Sequence, residues 1–276
     1  MNNNVSHQPR FSFKHGFKLA LAAAAVVLAG CATPAGAPPP RDVSTVSDQS
    51  EGERRARLRL ELAGAYFTRG QTATALDEVK VALVAWPEFT EAYNLRGLIY
   101  ASMGETSLAT ESFKRALQIR PGDADTLHNY AWFLCRERRF GEAETMFLQA
   151  LAQPQYRDTT RTLLARGVCQ ARDGRWGEAE QTLIRAYELD PANPATAVNL
   201  TEVLVRRGQY ERARFYIRRV NDVPDQVNAQ TLWLAARIEH KLGQGERARE
   251  LGSMLSQRFP QSPEAMLFER GQFDGQ

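Results

Sequence analysis

Three cysteines, four histidines and a few closely spaced carboxylate pairs are what this chain offers for chemistry. Cys31 closes the string Leu28-Ala29-Gly30-Cys31 at the end of an apolar run, a place where a thiol can carry a lipid. Cys135 and Cys169 lie far downstream in helical patterning. In an oxidising compartment an even pair invites a disulfide, provided the Cα atoms come within about 7 Å; otherwise they are two buried thiols. Of the four histidines, His7 and His15 fall in the first 30 residues, leaving His128 and His240. No H-E-x-x-H, G-x-S-x-G or G-x-x-x-x-G-K string occurs. Gly243-Gln244-Gly245-Glu246-Arg247-Ala248 matches G-x-G-x-x-A in form, but a dinucleotide site needs a preceding strand and a βαβ unit. The pairs Glu142/Glu144 and Glu178/Glu180 fall near helix starts, where acids favour the helix dipole and read as solvated. With no nucleophile–base pair and no metal cluster, the expectation is no catalysis, no cofactor, no metal and no small-molecule substrate.

The elements that position Cys31 come first in the chain. Arg10, Lys14 and Lys18 form a basic region, Leu19 to Ala29 an apolar core, and Ala29-Gly30 a small-residue break. A core of about eleven residues is too short to span a bilayer and has the build of a secretory signal. Residues 1–30 are therefore read as a signal peptide. Leu-Ala-Gly-Cys looks like the bacterial lipobox, which implies that Cys31 is lipidated and becomes the mature N-terminus. Two or more acyl chains hold a protein stably at a membrane. By analogy with lipoprotein sorting, Ala32 after the cysteine, rather than Asp, favours the outer membrane. Processing also changes the charge argument. The whole chain has 35 Lys+Arg against 32 Asp+Glu, net +3. Losing three basic residues leaves 32 of each sign, so the basic balance is no argument for nucleic-acid binding. Residues 31–55 then read as a tether: Ala32 to Ser50 is rich in Pro, Ala, Ser and Gly and cannot bury enough apolar surface to fold. The Pro38-Pro39-Pro40 run makes part of it stiff, at about 3.1 Å per residue.

From Ala56 the sequence repeats with a period of about 34 residues, in the tetratricopeptide pattern. Numbering each repeat from 1 to 34, small residues belong at 8, 20 and 27, a bulky one at 24 and Pro at 32. Thr90 to Asp123 fits best, with Gly97, Ala109, Phe113, Ala116 and Pro121 at those places. The first repeat gives Ala63, Ala75, Val79, Ala82 and Pro87; the fourth gives Gly167, Ala179, Leu183, Ala186 and Pro191. The third closes one place early at Pro154 and the fifth at Pro224. The sixth gives Ala236, Ala248 and Pro260, but Gly252 stands where a bulky residue belongs. Gly70, Gly104, Gly174, Gly208 and Gly243 all fall at position 15, the turn between two helices. The expected fold is all-α: a tetratricopeptide-repeat solenoid, a right-handed superhelix of six helix-turn-helix repeats over residues 56–262. A single repeat cannot bury its apolar face, so stacking supplies the core. Residues 263–276 read as a cap, in which Met266, Leu267 and Phe268 close the last face.

First helices usually line the concave face of such a superhelix through positions 2, 5, 9, 12 and 13. In this register that face carries Leu60, Phe67, Leu98, Trp132, Leu164, Val168, Val198, Val205 and Trp233. Large apolar side chains along an open groove suit an amphipathic helix or an extended peptide; the same residues would equally serve packing between helices. Position 13 reads Arg136, Arg172, Arg206 and Lys241 in successive repeats. That row suits an acidic partner, or else cations at helix C-termini, which the dipole favours.

The third repeat contains His128-Asn129-Tyr130-Ala131-Trp132-Phe133-Leu134-Cys135 followed by Phe140-Gly141-Glu142-Ala143. This resembles the N-N-Y-G-W-F-L-C block of the PilF/PilW family, the type IV pilus biogenesis lipoproteins; His128 and Ala131 depart from the Asn and Gly usual there. In architecture the resemblance covers the whole chain: lipobox, linker and six repeats. It implies an outer-membrane pilotin facing the periplasm, a non-enzyme that binds the pilus secretin subunit and helps it localise or multimerise. The block's cysteine falls on Cys135, with Cys169 as partner, which favours the disulfide. The alternative is a general periplasmic scaffold recruiting envelope hydrolases, proteases or outer-membrane assembly factors.

Overall fold

The computed structural model describes residues 50–273; Cys31, residues 1–30 and nearly all of the tether lie outside the described residues. Among the described residues there are thirteen α-helices and no strand. Twelve form six pairs: α1 (Glu51–Thr68) with α2 (Thr72–Ala85), α3 (Thr90–Ser102) with α4 (Thr106–Ile119), and α5 (Ala124–Arg136) with α6 (Phe140–Leu151). Then follow α7 (Thr159–Arg172) with α8 (Trp176–Leu189), α9 (Pro194–Arg206) with α10 (Tyr210–Asn221), and α11 (Ala229–Lys241) with α12 (Gly245–Arg258). Short turns force the partners antiparallel. Each second helix packs on the next first helix, which stacks the pairs into a tetratricopeptide solenoid. The core is the row of small and bulky positions read from the repeat: Ala75, Val79, Ala109, Phe113, Ala143, Phe147, Ala179, Leu183, Ala213 and Ile217 are all buried.

The turn glycines adopt the left-handed conformation, as at Gly104 with φ 80°. The repeat that lacks this glycine does the same with Arg138, at φ 59°. The turn is thus set by the helix pair, and the third repeat accepts the Cβ strain, of order 1–2 kcal/mol. Position 8 is where helices touch most closely. A Cβ on Gly97 would lie 2.7 Å from the buried Phe113 ring, and one on Gly167 would lie 2.6 Å from Leu183 Cγ. Gly64 in α1 has nothing within 4 Å of that point. Two alanine substitutions should therefore have opposite signs in urea denaturation. Gly97→Ala is expected to cost about 1–3 kcal/mol through overpacking, while Gly64→Ala should stabilise by roughly 0.5–1 kcal/mol through helix propensity. Equal effects would remove close approach as the reason for glycine at position 8.

Both ends of the stack differ from the sequence expectation. Helix α1 starts at Glu51, inside the stretch read as tether up to residue 55. Ser50 and Glu53 form a reciprocal cap, with Ser50 N donating to Glu53 Oε2 at 2.8 Å and Glu53 N to Ser50 Oγ at 3.2 Å. The added turn runs close against the end of α2, where a Cβ on Gly52 would lie 2.8 Å from the Ala85 carbonyl oxygen, and just beyond it the Arg57 guanidinium lies 5.1 Å from the Trp86 ring centre. At the other end, α13 (Pro263–Glu269) packs on α11 and α12. Leu267 and Phe268 pack into the core there, but Met266 points out to solvent and Phe273 takes its place. Phe268 also explains the missing bulky residue at Gly252. Its ring occupies the space that a side chain on Gly252 would need, so the cap fills the hole from outside the repeat.

Candidate partner-binding groove

Successive first helices lie side by side, α5 against α7, α7 against α9 and α9 against α11, and so present their faces as one continuous row. The predicted groove residues spread along it rather than converging on one point. Leu60 and Phe67 are half-buried against the first core cluster, and Leu98 and Trp132 against the second. Leu164, Val198 and Val205 flank the third, while Val168 borders open space. Trp233 is a correction: only 6% exposed, it lies under the C-terminal segment with its ring centre 5.2 Å from that of Phe273. The cap that closes the solenoid removes this tryptophan from the groove.

Two adjoining concavities open in the C-terminal half of the row. One, of about 310 Å³, is bordered by Val168, Arg172, Trp176, Asn199, Glu202 and Arg206. The next, of about 440 Å³, shares Glu202 and Arg206 and adds Val205, Tyr210, Arg237 and Lys241. Trp176 and Tyr210 were not among the residues expected here. They stand at position 17, together with Phe140 in the third repeat; three aromatics recurring at one position were the available signal. The position-13 cations do end their helices, in line with the dipole reading. Arg172 and Arg206 have a second feature. Arg172 lies 5.0 Å over the Trp132 ring and Arg206 6.0 Å over Trp176, each in cation–π reach of an aromatic of the preceding repeat.

The joint between the third and fourth repeats is tied three ways. Cys135 and Cys169 form a disulfide with Cα atoms 5.8 Å apart, both cysteines buried. His128 Nδ1 lies 2.8 Å from Thr162 Oγ1, which lies 2.6 Å from the Tyr156 hydroxyl. Burial is the main reason the imidazole titrates low, at about 4, with Arg161 adding to the effect and Asp158 opposing it. Arg166 Nη2 lies 2.5 Å from Glu144 Oε1, and Arg175 is 3.6 Å from the other oxygen. The solvated reading of the carboxylate pairs holds for Glu142 and Glu178, which are exposed. It fails for Glu144 and Glu180. Glu180 is 6% exposed and binds Arg207 and Arg212 across the next joint. Two residues along the helix, about 200° around its axis, turn a side chain from solvent to the seam between repeats.

Paired helices, left-handed turns and a lined groove define a tetratricopeptide-repeat protein, a class that works by binding other proteins. Tetratricopeptide-repeat family models match residues 90–123, 134–194 and 170–232. The crystal structure of PilW, described as a widely conserved type IV pilus biogenesis factor, superposes with a TM-score of 0.72 at 30% identity. That match covers 77% of this chain and 97% of PilW. The type IV pilus assembly protein PilF of Pseudomonas aeruginosa is 25% identical over 245 residues, 89% of this chain and 94% of PilF. A solved structure of Pseudomonas aeruginosa PilF gives a TM-score of 0.69, covering 80% of this chain and all of that one. The chain belongs to the PilF/PilW-like family of tetratricopeptide type IV pilus proteins.

Proposed function

We propose that the chain is a non-catalytic adaptor of the outer membrane, held there by lipid on Cys31, that binds a type IV pilus secretin subunit along its repeat groove. The observation that carries this reading is the lined groove in a chain that shares 30% identity and the solenoid fold with a pilus biogenesis factor. The groove gives a means of gripping an extended or helical segment. The lipid gives the adaptor a membrane address, and a bound secretin subunit would share it. The family's pilus role supplies the partner.

Two variants test it. Cys31→Ser, expressed at the wild-type level, is expected to abolish secretin multimers in the outer membrane; normal multimers would sink the anchored-carrier reading. Trp132→Ala removes the aromatic beneath Arg172 and is expected to reduce co-purification of the secretin with this protein. Capture of envelope hydrolases or assembly factors in place of a secretin would transfer the groove to a general periplasmic scaffold.

A further inference from the structure

Arginines in the seams between repeats are consumed by carboxylates: Arg166 and Arg175 by Glu144, Arg207 and Arg212 by Glu180, and Arg214 by Glu239. Arg172 and Arg206 differ. Both are exposed, neither has a carboxylate partner among the described residues, and each is backed by a tryptophan. A cation–π contact with an indole holds a guanidinium in place without using its N–H groups, which stay available for a carboxylate. Both arginines border the same concavity, with Val168 and Trp176 as apolar floor.

We propose that this Trp-backed arginine pair holds an extended acidic peptide segment of the protein partner, with carboxylates on Arg172 and Arg206 and apolar side chains against Val168 and Trp176. The inference rests on the groove reading above and gives its ligand a chemistry. Charge complementarity selects that occupant. Arginine forks pair carboxylates bidentately, and the first two repeats have Thr68 and Ser102 at position 13, so the cationic segment begins only at the third. Glu202 lies between the two concavities, its Oε1 accepting from Gln230 Nε2 at 2.9 Å. A negative group there breaks the row and disfavours a continuous polyanion such as nucleic acid. It suits a peptide whose acids are spaced by neutral residues.

The test uses full-length protein in detergent micelles and fluorescence anisotropy of a labelled decapeptide of alternating Glu and Ala. Its Gln-for-Glu counterpart and a single-stranded oligonucleotide serve as comparison probes. Wild-type protein is expected to bind the acidic peptide, more weakly as salt rises, and at least about tenfold more tightly than the Gln peptide or the oligonucleotide. The double variant Arg172→Gln/Arg206→Gln should lose about tenfold or more in affinity. Arg218→Gln/Arg219→Gln, which removes the same charge from the exposed side of α10, should bind as wild type does. No binding of the acidic peptide, equal binding of either comparison probe, or equal losses in both double variants would overturn the inference. Secretin co-purification on the same proteins separates the two readings. Secretin capture lost in Trp132→Ala but kept in the arginine double variant overturns the acidic chemistry and leaves the secretin as partner. Acidic-peptide binding that depends on the arginines, with no secretin captured by wild type, supports the acidic site and removes the secretin.

Discussion

Replacing Cys135 and Cys169 together by alanine is expected to lower stability by about 4 kcal/mol, the chain-entropy cost of opening a loop of this length. The cysteines are 34 residues apart in sequence and join α5 to α7 across the joint of the third and fourth repeats. A solenoid makes such a link unusually local in its effect. Each repeat contacts only its neighbours, so stability is close to a sum of repeat and interface contributions. This interface also follows the early Pro154, where the register of the repeat slips. Losing the link should therefore uncouple the array there, with the transition broadening as the two halves melt separately. Trp132 and Trp176 flank the joint, and their fluorescence in urea reports on it. Wild-type protein treated with reductant should fall to the curve of the alanine variant, and reductant should leave that variant unchanged. A variant as stable as the oxidised wild type would mean that packing of the two buried sites, rather than the covalent link, sets the stability of the joint.

How much of this was legible in the sequence follows from how the repeat encodes information. Positions 8, 20, 27 and 32 are constrained by backbone approach and by proline's missing N–H, which act through residue type alone. Gly97, Ala109, Ala116 and Pro121 thus announce their helix pair without any knowledge of neighbours. Side chains at the seams depend on which repeat they face. Glu144 and Glu180 looked like Glu142 and Glu178, because near a helix start both fit the dipole equally; only the three-dimensional stack turns one of each pair toward arginines of the next repeat. The ends were hardest for the same reason. A terminal repeat lacks one neighbour, and what covers it is peculiar to this chain: Arg57 over Trp86 at one end, Phe268 and Phe273 over Gly252 and Trp233 at the other. Of the groove, the position-13 row was visible from spacing, whereas its aromatic backing was not. Arg172 finds Trp132 and Arg206 finds Trp176 across a repeat boundary, a pairing of unlike positions that a repeat alignment does not display.

Acidification should destabilise the protein through His128, and His128→Asn should remove that component. The imidazole is 8% exposed, and its Nδ1 faces Thr162 Oγ1, which the Tyr156 hydroxyl also approaches. With neutral His128, the Tyr156 hydroxyl donates to Thr162 and the Thr162 hydroxyl donates to Nδ1, a chain of two hydrogen bonds that ends on the ring. Protonation at Nδ1 makes the ring a donor, forces the Thr162 and Tyr156 hydroxyls to reverse, and places a charge near the buried Phe147 ring with Arg161 nearby. Burial, with the Arg161 charge, accordingly lowers the titration from the ordinary 6.5 to about 4. The sign follows from proton counting. Between these values the unfolded chain binds a proton that the folded chain does not, so stability rises with pH. The penalty is absent above pH 6.5, grows as pH falls, and is complete below about 4, where it amounts to roughly 3 kcal/mol. Burial also raises the nearby Asp125 carboxyl, so the measured quantity is the difference between wild type and variant, which cancels carboxylates common to both. Asparagine is the test residue because its side-chain oxygen can still accept from Thr162 and carries no titrating proton. Urea denaturation at pH 7.5 and pH 4.5 should give a gap between the proteins that shifts in favour of His128→Asn by about 2–3 kcal/mol at the lower pH. A gap independent of pH would show that His128 is solvated enough to titrate normally.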